Sequence, residues 1–359
     1  MGYNITMGYN IILYLTGFLG SLLSFFPFGV LKKGAVKLNK KVSVIIPARN
    51  EESNLINILE DLKNQTYKPY EIIVVNDESE DKTESIAKQN GAKVVSIKEK
   101  PKEVLGKPYA CLKGFEESTQ DLLLFLDADL RLGNDAIEKL LYTYELENAV
   151  ISVWPYHEIK TLEENFSFFF NFIGAISLNN FSLINRFLPI QGLFGTCILI
   201  DRDTYEKTQG HKNVLKEVVE DLALGKVIAK KGIKIKNFLG RKDIKFRMYK
   251  GGFKELLSGW SKNFSKGAVS THPLNFIIVF IFITATFSVL FHLKEYFIFA
   301  IFFSVEFLLV GRIIGNFNPV LLMLYPIHLF IFFIIFANSI LQTFIKREVE
   351  WKGRKIKIR

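Results

Sequence analysis

Two aspartates one residue apart, Asp127-Ala128-Asp129, follow directly on the apolar run Leu122 to Leu126. Carboxylates are hard oxygen donors of the kind Mg²⁺ or Mn²⁺ takes, and a cation held there could in turn hold a diphosphate. Strand alternation predicts that both carboxylates face the same way. Taken alone, the pair is equally readable as a solvated acidic loop after a buried strand. Its surroundings argue for chemistry. Asn50 and Glu51 follow the apolar run Val42 to Ile46, and Asp77 follows the run Glu71 to Val75. Five polar or acidic groups at the ends of three apolar runs exceed what turns alone require.

The segments between these runs must position them. Leu55, Ile58, Leu59 and Leu62 repeat at helical spacing, and Thr83 to Gln89 and Asp135 to Tyr144 read as further helices. A strand is expected at Lys93 to Ile97. Such alternation predicts an α/β fold, a mainly parallel sheet with helices on both faces, in which ligands sit beyond the carboxyl ends of the strands.

At this point the chain resembles the inverting glycosyltransferases of family 2, through VSVIIPARNEE (42–52), EIIVVNDES (71–79), GKPYACLKG (106–114), LLLFLDADL (122–130) and VVEDLALG (218–225). The resemblance implies a nucleotide-sugar-binding fold of GT-A type and a UDP-sugar donor. By it, Pro47, Ala48, Glu51 and Asp77, with Asn50 on the same loop, would cradle the nucleoside, and Lys107 would approach the donor phosphates. Asp127 would reach the ribose and the metal, and Asp129 would bind Mg²⁺ or Mn²⁺. Asp221 of the Glu220-Asp221 pair would be the base that takes a hydroxyl proton from the acceptor. Processive members carry Gln-x-x-Arg-Trp where this chain retains only Trp260, which implies transfer of a single sugar. Trp260 would stack on sugar or acceptor and Lys262 would face the diphosphate, or both sit at a membrane interface.

Further segments, SVWPYH (152–157), FRMY (246–249), GWSKNFSKGA (259–268) and WKGR (351–354), are similar to a branch of the family that glucosylates a carotenoid acid. That implies a lipid-like or carotenoid acceptor. A carboxylic acid is ionised near pH 7 and needs little base, so an intact Asp221 also leaves a hydroxyl acceptor, in a glycolipid or polysaccharide, open. A nucleotide-sugar-binding protein without turnover is the third reading. His157 reads either as an acceptor contact or as a packed histidine.

Apolar length predicts the rest. Ile11 to Leu31 is long enough to cross a bilayer and is followed by Lys32, Lys33, Lys37, Lys40 and Lys41, so it reads as an anchor with the catalytic part in the cytoplasm. Three more apolar segments run from Leu274 to Leu293, Tyr296 to Val310 and Pro319 to Ile345. Three crossings would put the basic tail on the outer face, against the positive-inside tendency, so either the count of three is wrong or one segment is re-entrant. The division is therefore an anchor at 1–34, a catalytic domain at 35–245, an interfacial segment at 246–272, membrane helices at 273–345 and a basic tail at 346–359. The Phe-rich stretch 166–189 reads as interfacial helices lining an acceptor mouth, or as core. Met1-Gly2-Tyr3-Asn4 recurs at Met7-Gly8-Tyr9-Asn10, making Met7 an alternative start.

With 49% hydrophobic residues, the chain holds more apolar material than one soluble domain of its size needs. The net charge of +10 comes heavily from the juxtamembrane lysines and the tail, which suits a membrane surface and not nucleic acid. Cys111 and Cys197 lack metal-type spacing and read as reduced thiols.

Overall fold

The computed structural model describes residues 2–26, 28–37, 40–101, 103–177, 192–217, 219–342, 348–351 and 354–357, and the side chains among these except at 2–6, 262–270 and 348–357. In chain order the elements are α1 (Gly2–Phe25), β1 (Val42–Ala48), α2 (Glu52–Lys63), β2 (Glu71–Asp77), α3 (Thr83–Gln89), β3 (Lys93–Ile97), α4 (Gly106–Glu116) and β4 (Leu122–Leu126). They continue with β5 (Leu130–Leu132), α5 (Ala136–Glu147), β6 (Val150–Trp154), β7 (Tyr156–His157), α6 (Phe168–Ser177), β8 (Cys197–Asp201), α7 (Arg202–Lys207), α8 (Glu220–Lys230), β9 (Ile235–Leu239) and β10 (Ile244–Phe246). The last are α9 (Phe253–Ser270), α10 (Pro273–Phe291), α11 (Leu293–Ile314), α12 (Pro319–Met323), α13 (Tyr325–Ile340), β11 (Glu348–Trp351) and β12 (Arg354–Lys357). These elements form two units, an α/β unit of Gly29–Tyr156 with Ile190–Arg247, and a helical unit of Met1–Phe28, His157–Pro189 and Met248–Arg359.

The α/β unit is built on a seven-stranded sheet of order β3-β2-β1-β4-β8-β6-β9. β1 pairs in parallel with both β2 and β4, Ile45 lying beside Ile73 on one side and Phe125 on the other. β8 alone runs antiparallel, between β4 and β6, and β6 pairs in parallel with β9. Such strands are covered on both faces, which is why β1 and β4 read as unbroken apolar runs and not as alternating ones. α2 lays Leu55, Ile58, Leu59 and Leu62 inward, the stripe its sequence spacing predicts. Ile45, Ile73, Leu123, Phe125, Ile198 and Ile200 belong to one buried cluster. Truncating such a residue to alanine costs about 2–5 kcal/mol, so the rim of the sheet rests on a stiff floor. β5, β10 and β7 form a second, small sheet.

The helical unit holds three helices long and apolar enough to cross a membrane, at Met7–Phe25, Pro273–Phe291 and Leu293–Ile314. The first lies further towards the amino terminus than the expected 11–31. Its helix stops at Phe25, two residues before Pro27, because the residue before a proline is pushed out of helical conformation. Val30 then forms a bridge to Leu239 in the α/β unit. Among the described residues the apolar stretch 319–345 is not one continuous helix. Pro319 and Pro326 each stand in the first turn of a helix, so the stretch divides into α12 and the short α13.

The segment His157–Pro189 groups with the helical unit, so the span 35–245 is interrupted. α6 buries Phe168, Phe169, Phe170 and Phe172, which makes its phenylalanines core and not a surface lying in an interface; residues 178–191 lie outside the described ones. His157 is fully buried, its Nδ1 is 3.2 Å from Asn171 Nδ2, and burial lowers its pKa to about 3, the behaviour of a packed neutral histidine. Glu306, the charge in α11, accepts a hydrogen bond of 2.5 Å from Ser21 of α1. A hydroxyl from a neighbouring helix thus partners the buried carboxyl. Of the tail, β11 and β12 pair as a hairpin, while 346 and 347 lie outside the described residues.

Candidate active site

At the carboxyl end of β4 the chain leaves the sheet, and Asp127 donates its backbone N–H to Thr196 O at 2.9 Å. Asp127, Ala128 and Asp129 do not continue the strand. They form a turn leading to β5, closed by Leu130 N–H to Asp127 O at 3.3 Å. The strand alternation expected to aim both carboxylates the same way therefore does not operate here.

Lys107, in the first turn of α4, brings the site together. Its Nζ lies 2.8 Å from Asp127 Oδ1 and 3.3 Å from Glu220 Oε1, and it donates to Gly195 O at 3.2 Å. Burial works to lower the lysine pKa, but Asp127 and Glu220 outweigh it and hold the ammonium protonated, well above its ordinary value. A permanent cation is thus fixed at the mouth of a small pocket that Pro47, Asp127, Gly195, Glu220 and Asp221 also line.

Asp221 opens α8 beside Glu220. Its Oδ2 accepts the N–H of Gly195 at 2.8 Å and its Oδ1 that of Leu222 at 2.9 Å. Burial and the neighbouring Glu220 push its pKa up to about 6, against the opposing pull of Lys107 and the two backbone N–H groups. A carboxylate of that strength is ionised at pH 7 and still able to take a proton, which suits a general base. The turn of residues 192–196 fixes this geometry. A Cβ on Gly195 would stand 2.9 Å from Asp221 Cβ, and one on Gly225 of α8 would stand 2.6 Å from Gly192 Cα. Only glycines let helix and turn approach so closely.

Two further side chains reach this pocket from below. His211 is buried, bonded through Nδ1 to the Tyr205 hydroxyl at 2.8 Å, and lowered to about 4 mainly by burial, so it is neutral and occupied. Burial raises the Cys111 thiol far above its ordinary value, and both cysteines are free. Neither group is a nucleophile in this setting.

Along the rim, Asp77 ends β2 with its carboxylate 2.9 Å from Lys100 Nζ. A Cβ on Gly106 would come within 2.1 Å of Asp77 Oδ2, so the start of α4 presses directly on this carboxylate. Arg49 donates to the backbone oxygens of Asp77 and Glu78 at 2.9 and 3.2 Å, tying the ends of β1 and β2 together. Asn50 takes a left-handed φ of 51° and accepts from Glu80 N–H at 2.9 Å, while Glu51 accepts from Asn54 at 2.7 Å. Pro47 and Ala48 are the last residues of β1.

The structure brings Pro47, Lys107, Asp127, Glu220 and Asp221 together in one pocket, while Asp77 lies against Gly106, the residue before Lys107. Asp129 stands in the turn beyond Asp127 and does not line that pocket. Trp260 belongs to the helical unit, where its ring stacks on Phe170 with centroids 5.1 Å apart and an interplanar angle of 19°. Lys262 lies in α9, its side chain outside the described residues. Lys100, Arg49, His211 and the 192–196 turn were not singled out by sequence. Lys100 sits in an alternating run of lysine and glutamate, and the turn acts through its backbone, so the only signal was the spacing of Gly192, Gly195 and Gly225.

Among the described residues no group of three histidine, cysteine or acidic side chains stands ready to hold a metal ion. Mg²⁺ and Mn²⁺ do not require such a trio, because these ions are commonly bound by one or two protein carboxylates and completed by substrate phosphates and water.

Comparison with known proteins follows the same lines. The pattern described as "Glycosyl transferase family 2" matches residues 43–208, which contain Pro47, Asp77, Lys107, Asp127 and Gly195 but neither His211 nor the Glu220-Asp221 pair. A 4,4'-diaponeurosporenoate glycosyltransferase of Staphylococcus aureus (strain USA300) is 33% identical over 336 residues, 89% of each chain. Its counterpart from Staphylococcus haemolyticus (strain JCSC1435) is 30% identical over 348 residues, covering 91% of this chain and 92% of that one. In fold the chain is similar to a mannosyltransferase from Pyrobaculum calidifontis, solved in complex with GDP-Man and Mn²⁺, with a TM-score of 0.56 and 16% identity over 94% of this chain and 99% of that one. The α/β rim, the ordered motifs and the near full-length relatives lead to one conclusion: the chain belongs to glycosyl transferase family 2.

Proposed function

We propose that the protein is a membrane-bound, metal-dependent, inverting glycosyltransferase that moves one sugar from a UDP-sugar to a lipid-like acceptor, a carotenoid acid among the candidates. The observation that carries this reading is the Lys107 ammonium held between Asp127 and Glu220, beside Asp221.

Breaking the bond between sugar and diphosphate leaves negative charge on the departing phosphate. Lys107 is a fixed cation positioned to meet that charge, and because it is already held in place it needs no rearrangement to act. Asp127 and Asp129 would hold Mg²⁺ or Mn²⁺, which when bound neutralises the diphosphate as a Lewis acid. Asp77, Pro47, Ala48, Asn50 and Glu51 line the rim where the nucleoside would rest. Asp221 takes the proton of a hydroxyl acceptor. The name carried by the relatives, a diaponeurosporenoate glycosyltransferase, supports a long apolar acceptor ending in a carboxylic acid. The pKa of Asp221, near 6, favours a hydroxyl acceptor as the second reading, since an ionised carboxylate acceptor asks for no base.

Attachment rests on the three apolar helices. With two spans near the carboxyl end in place of three, the basic tail returns to the side of the juxtamembrane lysines, in accord with the positive-inside tendency and a cytoplasmic catalytic unit in the cell membrane. Mass spectrometry of lipid extracts from cells with and without the protein tests the reading. A hexose-bearing apolar product that depends on the protein supports it, and identical glycolipid profiles count against it.

A further inference from the structure

We propose that Lys100 is a further residue of the donor site, a displaceable counter-ion that competes with the nucleobase for Asp77 and passes to Glu78 when a donor binds; this rests on the donor reading above. Asp77 ends β2 at the rim, yet its side chain is only 4% exposed. Lys100, between β3 and α4, covers it, with Nζ 2.9 Å from Oδ1 and 3.3 Å from Oδ2, one ammonium across both oxygens. Gly106 packs on the same carboxylate, where a Cβ would stand 2.1 Å from Oδ2 and 3.4 Å from Lys100 Nζ. A nucleobase can therefore reach this carboxylate only once Lys100 has left it.

Leaving is costly unless both charges stay matched, because a buried carboxylate stripped of its cation is strongly destabilising. The structure supplies both halves of an exchange. A carboxylate only accepts hydrogen bonds, so the incoming base must bring an N–H, as uracil does at N3. For the ammonium, Glu78 is the next residue, its Oε2 3.9 Å from the same Nζ and its side chain 31% exposed. A small swing of Lys100 thus trades a buried carboxylate for a solvated one without loss of a partner. Arg49 sets the resting side of this exchange. Its Nη1 lies 3.6 Å from Glu78 Oε2, so that oxygen already has a cation, and Lys100 rests on Asp77 until a base takes its place.

The test is calorimetry on the full chain in detergent micelles with Mn²⁺, using UDP and, as a ligand without a base, pyrophosphate. Lys100→Met removes the competitor, so UDP is expected to bind about fivefold more tightly, the upper end of what an exposed ion pair contributes, with pyrophosphate within about twofold of the wild type. Glu78→Gln keeps the Asp77 pair and removes the second seat, so UDP should bind about threefold more weakly, an effect that should vanish when Lys100→Met is added. UDP affinity unchanged or weakened in Lys100→Met, or unchanged in Glu78→Gln, would overturn the exchange. A parallel loss of pyrophosphate affinity in Lys100→Met would overturn it too, by making Lys100 a phosphate contact. A wild-type chain that binds pyrophosphate but not UDP would instead contradict the donor reading.

Discussion

Gly195 donates its N–H to Asp221 at 2.8 Å, and the carbonyl of the same glycine accepts from Lys107 at 3.2 Å. One glycine, through the peptide groups on either side of its Cα, therefore contacts both the group proposed to take a proton and the group proposed to meet leaving-group charge. A Cβ at this position would stand 2.9 Å from both Asp221 Cβ and Oδ2. Gly195→Ala is expected to lower kcat about tenfold to a hundredfold, the range that small misplacements of reacting groups produce. UDP affinity measured alongside should change little. Unchanged turnover would show that Asp221 is not held by this contact.

The pH profile reports on Asp221. Because its folded pKa is raised to about 6, the base is protonated below that value and ionised above it. With a hydroxyl acceptor, kcat/KM is expected to rise with pH through about 6, an apparent value belonging jointly to Asp221 and its neighbour Glu220. Stability runs in the opposite sense. A pKa raised on folding stabilises below the unfolded value near 4, and that contribution is lost as pH rises through 6. A flat activity profile between pH 5 and 8 would fit an acceptor that needs no base.

Lys107 neutralises a pocket that otherwise holds Asp127, Glu220 and Asp221. Lys107→Met should lower turnover by about a hundredfold or more, as loss of a preorganised charge partner does elsewhere. It should also lower the melting temperature, since it strands buried carboxylates without a cation. Lys107→Arg should restore the melting temperature better than the rate. A methionine variant retaining the wild-type rate would remove Lys107 from the chemistry.

In the proposed donor site, the start of α4 packs closely against Asp77. Gly106→Ala forces a Cβ onto Asp77 Oδ2 and is expected to weaken UDP binding about tenfold by calorimetry, a loss comparable to one hydrogen bond to a charged group. Asp129→Ala should abolish the part of UDP affinity that depends on Mn²⁺, so that adding EDTA no longer changes it. Affinity equal to wild type in either variant would take that residue out of the donor site.

Much of the fold was legible because buried parallel strands announce themselves as unbroken apolar runs. Val42 to Ile46, Glu71 to Val75 and Leu122 to Leu126 became β1, β2 and β4, with Asp77 and Asp127 at their ends. Glu220 and Asp221 stand at the start of α8, where the resemblance to the family expects an acidic pair to head a helix. What stayed hidden acts without a distinctive side chain. The 192–196 turn binds Asp127, Lys107 and Asp221 through peptide groups, and its sequence reads as one more apolar stretch. Lys100 finds Asp77 only through the path of a loop. The third C-terminal segment looked continuous by hydropathy, and only the placement of Pro319 and Pro326 divides it.

Release of UDP from UDP-glucose by the detergent-purified chain, with Mn²⁺ and lipid extract present, tests the central claim most directly when wild type and Asp221→Asn are run side by side. The account predicts turnover in the wild type and a loss of about a hundredfold or more in the variant, the upper part of what a general base contributes. Equal rates for the two proteins would contradict it.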